Sequence, residues 1–279
     1  MFRKSKNARR HLATLLRMEQ LENRQLCAGD LVAGLDTHGN LNIVGSSYED
    51  VVTVKQIGNQ IKVSTETTGI GDPLKREFSF NAGQIVDIRF WGNGRDDAFR
   101  NDTNKTSHAW GGDGNDTLIG GSSLDWLYGE DGNDDLSGRD GADRLDAGAG
   151  DWNRLSGGKG NDQLFASWGV NHMYGDEGDD LMRGGGLFDY MDGGADNDTM
   201  YGGFGNDEMY GMSGNDLIFG EEGMDFIHGG SGHDTMHAGS GGAVMYGDSG
   251  IDTAFGGSGS DGSDAELQFG VEHDYRKKK

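Results

Sequence analysis

The stretch GGDGNDTLI, residues 111–119, opens a series of nine-residue units. New units begin at residues 120, 129, 138 and 147, and then at every ninth residue from 157 to 256. The unit at 147 has ten residues, and the last of the seventeen units is incomplete. A fixed short period over so long a stretch is typical of solenoids, in which each unit stacks on its neighbours.

Two positions of the unit keep their chemistry along the series. The eighth position is Leu, Ile or Met in nearly every unit; Leu155 takes that place in the ten-residue unit, and Ala254 is its weakest member. The sixth position is aspartate in fourteen units, and the exceptions are Trp152, Asn171 and Ala243. The fourteen aspartates are Asp116, Asp125, Asp134, Asp143, Asp162, Asp180, Asp189, Asp198, Asp207, Asp216, Asp225, Asp234, Asp252 and Asp261.

The pattern resembles G-G-x-G-x-D-x-U-x, with U a large apolar residue, which is the calcium-binding nonapeptide of the RTX (repeats-in-toxin, haemolysin-type) family. The resemblance covers residues 111–261. It implies a parallel β-roll in which six residues form a turn, three form a short strand, and two units complete one coil. It also implies calcium between the turns, held by aspartate carboxylates and backbone carbonyls of units eighteen residues apart.

Elementary chemistry agrees with this picture. Glycines at positions one, two and four are expected to allow positive φ and to let carbonyl oxygens turn toward an ion. Calcium takes six to eight oxygen ligands, which aspartates and carbonyls supply. A core with one large apolar residue per nine is too thin to offset chain entropy, and stacked aspartates repel one another. We therefore expect folding to depend on the metal.

Separating the units by parity gives two columns of sixth-position residues. The even units carry aspartate without a break from Asp125 to Asp252. The odd units are interrupted at Trp152 and Asn171 and again at Ala243, of which only the asparagine offers a side-chain carbonyl. Counting adjacent intact pairs predicts about ten calcium ions, with all fourteen aspartates as ligands.

Composition excludes several other classes. Of 279 residues 52 are glycine and one is proline, and Asp plus Glu number 47 against 24 Lys plus Arg, for a net charge of −23. Such a chain repels nucleic acid. A single cysteine, Cys27, excludes a disulfide scaffold, and no run approaches the ~20 apolar residues of a membrane span.

Residues 31–110 predict a β-rich cap. They contain short Val-, Ile- and Phe-rich runs separated by Gly-Asn or Gly-Asp turns. The segments 45–53 and 92–99 read as decayed nonapeptides. We expect this domain to nucleate the roll and shield its first coil.

The two ends of the chain differ from the rest. Residues 1–30 begin with a basic cluster, and Leu21 to Leu26 resembles the L-E-x-R-x-L core of an N-terminal export tag of planctomycete surface proteins. We therefore expect 1–30 to be a targeting segment. The tail, 262–279, ends in Arg and Lys, unlike the usual C-terminal secretion signal of RTX proteins.

Other candidate chemistry is weak. His233 and His237 have the spacing of a helical zinc pair with His228 nearby, but roll geometry should separate them. Aromatic residues recur at position nine, either as a sugar- or partner-binding stripe or because outward strand positions favour them. Neither H-E-x-x-H nor G-x-S-x-G occurs, so no protease or lipase signature accompanies the repeats.

The sequence thus predicts an all-β chain: a parallel β-roll with an N-terminal β-rich cap. The expected function is that of a non-enzymatic, extracellular or cell-surface calcium-binding protein, structural or adhesive, with surface glycans or proteins as possible partners. The alternatives are a non-catalytic part of a secreted toxin or hydrolase system, and an enzyme with its site on the cap.

Overall fold

The computed structural model describes residues 31–68, 73–257 and one strand at Glu266–Gln268. The expected export segment 1–30, Asp261 and the C-terminal tail apart from that strand lie outside the described residues.

The described chain is almost entirely β-structure, with one 3-10 turn at Ala82–Gln84. The first nine strands are β1 (Val32–Leu35), β2 (Asn40–Val44), β3 (Asp50–Ile57), β4 (Gln60–Thr67), β5 (Leu74–Asn81), β6 (Asp87–Gly94), β7 (Ala98–Asp102), β8 (Thr106–Asp113) and β9 (Thr117–Ile119). The next eight are β10 (Trp126–Asp131), β11 (Asp135–Asp140), β12 (Arg144–Asp146), β13 (Trp152–Lys159), β14 (Gln163–Phe165), β15 (Val170–Glu177), β16 (Leu181–Gly186) and β17 (Asp189–Ala195). The last eight are β18 (Thr199–Phe204), β19 (Glu208–Ser213), β20 (Leu217–Glu222), β21 (Asp225–Gly232), β22 (Thr235–His237), β23 (Ala243–Gly250), β24 (Thr253–Phe255) and β25 (Glu266–Gln268).

The strands form two sheets between which the chain alternates. Sheet A has the order β1-β2-β6-β8-β10-β12-β14-β16-β18-β20-β22-β24, and sheet B has the order β25-β23-β21-β19-β17-β15-β13-β11-β9-β7-β3-β4-β5. From β6 onward neighbouring strands are parallel, and equivalent residues pair eighteen or nineteen apart, as Leu127 pairs with Leu145 and Ile88 pairs with Ser107. Even-numbered units therefore enter sheet A and odd-numbered units enter sheet B. This confirms the predicted parallel β-roll.

The core lies between the sheets and consists mainly of the eighth-position side chains. Leu118, Leu136 and Leu155 follow one another in sheet B, and Leu127 and Leu145 do so in sheet A, all fully buried. Each strand contributes only one such residue, because the neighbours at positions seven and nine point outward on a pleated strand. The core is accordingly one side chain deep from each sheet.

The N-terminal cap is continuous with the roll. β2, β6 and β8 extend sheet A, while β3 and β7 extend sheet B, so the two decayed repeats are full coils of the solenoid. Antiparallel strands close the end: β1 covers β2, and the β4–β5 pair covers β3. The β3–β4 hairpin turns at Gly58-Asn59, a two-residue turn in which Gly58 has φ +60°.

Candidate metal centre

The turns of the roll gather along two edges, and each edge carries a column of sixth-position residues. We call them the even edge and the odd edge, after the units whose turns they contain. In each column the backbone N–H of one sixth-position residue donates to Oδ1 of the equivalent residue in the next coil. Asp180 donates to Asp198 at 2.9 Å, and Asp198 donates to Asp216 at 2.8 Å. Each side chain is thereby held at the junction of two coils.

The even edge brings its predicted residues together without a gap. The hydrogen-bonded column runs through Asp125, Asp143, Asp162, Asp180, Asp198, Asp216, Asp234 and Asp252. Its first member is distinct, because Oδ1 of Asp125 accepts from the Ser107 hydroxyl and Oδ2 accepts from Gly121 N–H. The protein itself thus satisfies the carboxylate that begins this column.

On the odd edge the structure differs at one position from the assignment of residues to repeat positions made from the sequence. Asp134 donates to Oδ1 of Asn153 at 2.9 Å, and Asn153 is fully buried, whereas Trp152 is exposed. The assignment of Trp152 to the sixth position is wrong. The extra residue of the ten-residue unit precedes Asn153 and shifts the register by one, so Asn153 takes the sixth position. The column therefore continues through the predicted break: Nδ2 of Asn153 donates to Oδ1 of Asn171, and the backbone N–H of Asn171 donates to Oδ1 of Asp189. The backbone N–H groups of Asp189 and Asp207 then donate to Asp207 and Asp225.

Sequence reasoning also missed the start of the odd column. Asp50 donates to Oδ1 of Asp97, and Asp97 donates to Oδ1 of Asp116, both at 2.7 Å. Asp116, expected to begin its run, is an interior member. The spacing contained the signal, because Asp50 and Asp97 follow Gly45 and Gly92 by five residues, as in the intact units.

The second carboxylate oxygen of most column members has no partner within the protein. Among the described residues, Oδ2 is buried without a hydrogen bond in Asp97, Asp116, Asp134, Asp143, Asp162, Asp180, Asp189, Asp198, Asp207, Asp216, Asp225 and Asp234. A buried, unpaired charged oxygen costs several kcal/mol, which proteins avoid unless something else supplies the missing interaction. A cation at each junction is the simplest supplier.

Glycine at position one makes room for that oxygen. A Cβ on Gly175 would lie 2.3 Å from Oδ2 of Asp180 and 2.4 Å from the carbonyl oxygen of Gly193 in the next coil. The expectation of positive φ at this position is wrong, since positive φ occurs at positions two and four. Position one needs glycine because a carboxylate oxygen and a carbonyl oxygen converge on the space that a side chain would fill.

The units that lack the aspartate support this explanation. Position one is glycine in every unit with aspartate at position six, and it is alanine in three units, as Ala147, Ala166 and Ala238. Those three units carry Asn153, Asn171 and Ala243 in the column. Where no carboxylate oxygen needs the space, a Cβ is present. The two positions thus form one structural pair.

Burial raises the pKa of the column aspartates between Asp97 and Asp252 above its ordinary value. The pKa is raised to about 9 for Asp97, and to about 8 for Asp143, Asp189 and Asp198, first by desolvation and also by the charge of neighbouring aspartates. Hydrogen bonds from the backbone act in the opposite sense. Without a cation, these carboxyls hold their protons near neutral pH, so an ion that binds here must displace protons.

Backbone carbonyl oxygens also face the neighbouring coil. The carbonyl oxygen of Gly214 would lie 1.5 Å from a Cβ on Gly232, and that of Gly232 would lie 1.5 Å from a Cβ on Gly250. Carbonyls at position four thus point along the stack at the next coil. Within the described residues no three His, Cys, Asp or Glu side chains cluster as a metal site. The donor set is one carboxylate per coil among carbonyls, which fits a hard, oxygen-seeking cation such as calcium and not zinc.

The three histidines are separated, as expected. Nδ1 of His228 lies 2.8 Å from Oδ2 of Asp248, and Nδ1 of His233 accepts from Ile251 N–H. The ring of His237 stacks between Phe219 and Phe255. They form no joint site.

The repeats of this chain match a known family. The model of the RTX calcium-binding nonapeptide repeat matches residues 110–145, 147–182, 174–209, 183–218, 210–245 and 246–261, together more than half of the chain. The chain belongs to this RTX family. No curated protein matches it. Its RTX repeats make it a calcium-binding repeat module, and RTX rolls are typically structural, non-catalytic domains.

Proposed function

We propose that this RTX protein is an extracellular or cell-surface structural module whose roll folds on binding calcium. The observation that carries the proposal is the row of twelve buried Oδ2 atoms without a protein partner, each beside a glycine that leaves space, and nine of them also beside a carbonyl of the next coil. When bound, calcium supplies the positive charge and oxygen coordination that these junctions lack.

The proposed ligands are the sixth-position aspartates predicted from the sequence together with Asp97. Within the described roll, backbone N–H groups hold Oδ1 atoms of these carboxylates, as in Asp116 and Asp198, and so orient the side chains at the junctions between coils. Carbonyls at positions one and four complete the ligand set. About ten ions remains the proposed number, and Asp261 is proposed as a ligand on its sequence position alone.

An extracellular location suits a site of this kind. RTX proteins are typically secreted or exposed at the surface, and extracellular calcium modules are tuned to 10⁻⁴–10⁻³ M calcium, near the concentrations found outside cells. Among the described residues no helix is long and apolar enough to cross a bilayer. We propose that residues 1–30 direct export and that 31–110 cap the 111–261 roll.

The outer aromatic residues favour a structural role. Tyr201, Phe219, His237 and Phe255 stack in one column, with ring centroids 4.5–4.8 Å apart and planes within 11°. The ring faces that a sugar would stack on are therefore covered by neighbouring rings. These stacks contribute to cohesion between coils, about 0.5–1.5 kcal/mol per pair.

The test is a calcium titration of the full chain. Circular dichroism should change from coil to β on adding millimolar calcium, and equilibrium dialysis should show about ten bound ions. Magnesium should be ineffective, because it demands a tight octahedron of ligands. A β-roll that persists in EDTA at neutral pH, with metal removal verified by elemental analysis, would contradict the proposal.

A further inference from the structure

One stretch of the odd edge differs from the rest of this acidic protein. The first five turn residues of three successive odd units, 166–170, 184–188 and 202–206, contain no Asp, Glu, Lys or Arg, and the sixth-position residues Asn171, Asp189 and Asp207 are buried. At the same height on the even edge, the turns 157–161, 175–179 and 193–197 carry Lys159, Asp176, Glu177, Asp179 and Asp196. With a net charge of −23, an uncharged edge three coils long needs a physical reason.

The same turns expose large apolar side chains. Trp168 is 64% exposed and Phe204 is 56% exposed, and Leu187 and Phe188 between them are also exposed. On the neighbouring odd turns, Trp152 and Met224 extend the row in both directions. We call these six residues the apolar edge. The even edge also has exposed apolar residues, such as Met212 and Ile251, but these lie in separate coils with a polar turn between them.

Strand register makes the apolar edge continuous. Trp168 pairs with Gly186, which in turn pairs with Phe204 on the next strand. A Cβ on Gly186 would lie 2.7 Å from Cε3 of Trp168, so the indole lies over the glycine backbone and bridges toward the next coil. With coils about 4.8 Å apart, the row from Trp152 to Met224 is about 20 Å long.

We infer that the apolar edge is the contact surface between two copies of this chain. Two copies of this acidic chain repel each other where carboxylate-bearing faces meet, whereas the exposed side chains of these three turns carry no charge. An anionic or cationic partner has no counter-charge to meet in these three turns. A partner of the same kind satisfies both the apolar character and the lack of charge.

The available area suits a weak dimer. With roughly 200 Å² per large side chain and about half of each exposed, the six residues of the apolar edge offer on the order of 600 Å² per copy, or roughly 1,200 Å² for a pair. This is the lower limit of stable interfaces, so we expect a micromolar dissociation constant. A two-fold axis through the middle turn would bring Trp168 of one copy to Phe204 of the other.

Charges at both ends of the apolar edge give a further expectation. Asp151 lies at one end, and Glu221 and Glu222 lie at the other. A two-fold axis brings these acidic ends together, so salt should strengthen the dimer by screening their repulsion. An interface held by ion pairs would respond in the opposite way.

The test is sedimentation equilibrium of the full chain in millimolar calcium, with Phe204→Glu as the disrupting variant. Phe204 pairs with Glu222 on the next strand, so glutamate already occupies the equivalent place in the roll. The matched control is Met212→Glu on the even edge. Met212 has φ +71°, and Glu221 at the same position of the next unit has φ +72°, so the roll already accommodates glutamate in this backbone conformation. Calcium-dependent circular dichroism of each variant verifies that the roll still forms.

The wild type and Met212→Glu should show a dimer that strengthens with salt, and Phe204→Glu should raise the dissociation constant at least ~10-fold. A wild type that stays monomeric at about 100 μM overturns the inference, including the case in which residues 1–30 cover the edge within one chain. A dimer unaffected by Phe204→Glu, or lost equally in Met212→Glu, also overturns it. Because folding is read separately, these outcomes leave the calcium proposal untouched.

Discussion

The two edges of the roll share the same buried carboxylates wherever aspartate is present, and they differ where Asn153 and Asn171 replace it on the odd edge. On the even edge an unbroken series of buried carboxylates leaves one oxygen of nearly every residue without a protein partner. On the odd edge, Nδ2 of Asn153 donates to Oδ1 of Asn171 at 3.0 Å, and Nδ2 of Asn171 donates to Oδ1 of Asp189 at 2.7 Å. At these positions an amide nitrogen with its own hydrogen-bond acceptor replaces the unpartnered carboxylate oxygen. The comparison teaches that the asparagine junctions are satisfied by hydrogen bonds within the protein, whereas the aspartate junctions need a cation.

The largest effect is expected from substitutions at position one of the repeat. Gly175→Ala should destabilise the calcium-loaded roll by about 4 kcal/mol, because the new Cβ meets Oδ2 of Asp180 and the Gly193 carbonyl. The matched change on the odd edge, Ala166→Gly, should cost only about 0.5–1 kcal/mol of backbone entropy. Urea unfolding at fixed calcium measures both, and equal costs would mean that position one does not serve the carboxylate.

The next test removes a column side chain from each edge. Asp198→Ala should lose one or two calcium ions and about 2–3 kcal/mol of stability, since Asp180 N–H loses its acceptor and an ion loses its carboxylate. Asn171→Ala should cost about 1–2 kcal/mol and no ions. Bound calcium is counted by equilibrium dialysis. An equal loss of ions from both variants would show that the edges do not differ in metal binding.

A moderate effect is expected from pH in the absence of metal. The pKa is raised on both edges, to about 8 for Asp143 and Asp198 on the even edge and to about 9 for Asp97 and about 8 for Asp189 on the odd edge. A group with a raised folded pKa contributes stability below its unfolded value, near 4, and that contribution is lost as pH rises through the folded value.

In EDTA we therefore expect more β-structure at about pH 5 than at about pH 8. With calcium the order should reverse, because protons compete with the ion for the carboxylates. Circular dichroism over this range checks both signs. A metal-free chain that gains structure as pH rises from 5 to 8 would contradict the expectation.

The smallest effect should come from converting one junction into the other kind. The double variant Ala166→Gly/Asn171→Asp restores the glycine–aspartate pair beside Asp189 and should bind about one additional calcium ion. Asn171→Asp alone should bind no additional ion, because the Ala166 methyl group occupies the space that Oδ2 needs. Dialysis against labelled calcium compares the two variants. An additional ion bound by the single variant would show that the residue at position one does not limit metal binding.

The sequence by itself determined the repeat, the division into two edges and most of the candidate ligands. This was possible because a solenoid maps sequence period directly onto space: residues eighteen apart become neighbours, whatever the rest of the chain does. For that reason the buried row from Leu118 to Met245 and the column from Asp125 to Asp252 followed from counting alone.

Only the tertiary structure decided the features that depend on contacts between coils. The one-residue insertion before Asn153 became visible through its hydrogen bond with Asp134, and Asp97 joined the column because β6 and β7 continue the two sheets. The role of glycine at position one depends on two oxygens from different coils, which no single unit contains. The apolar edge likewise arises because residues of successive odd turns, eighteen apart in sequence, are stacked about 4.8 Å apart in space.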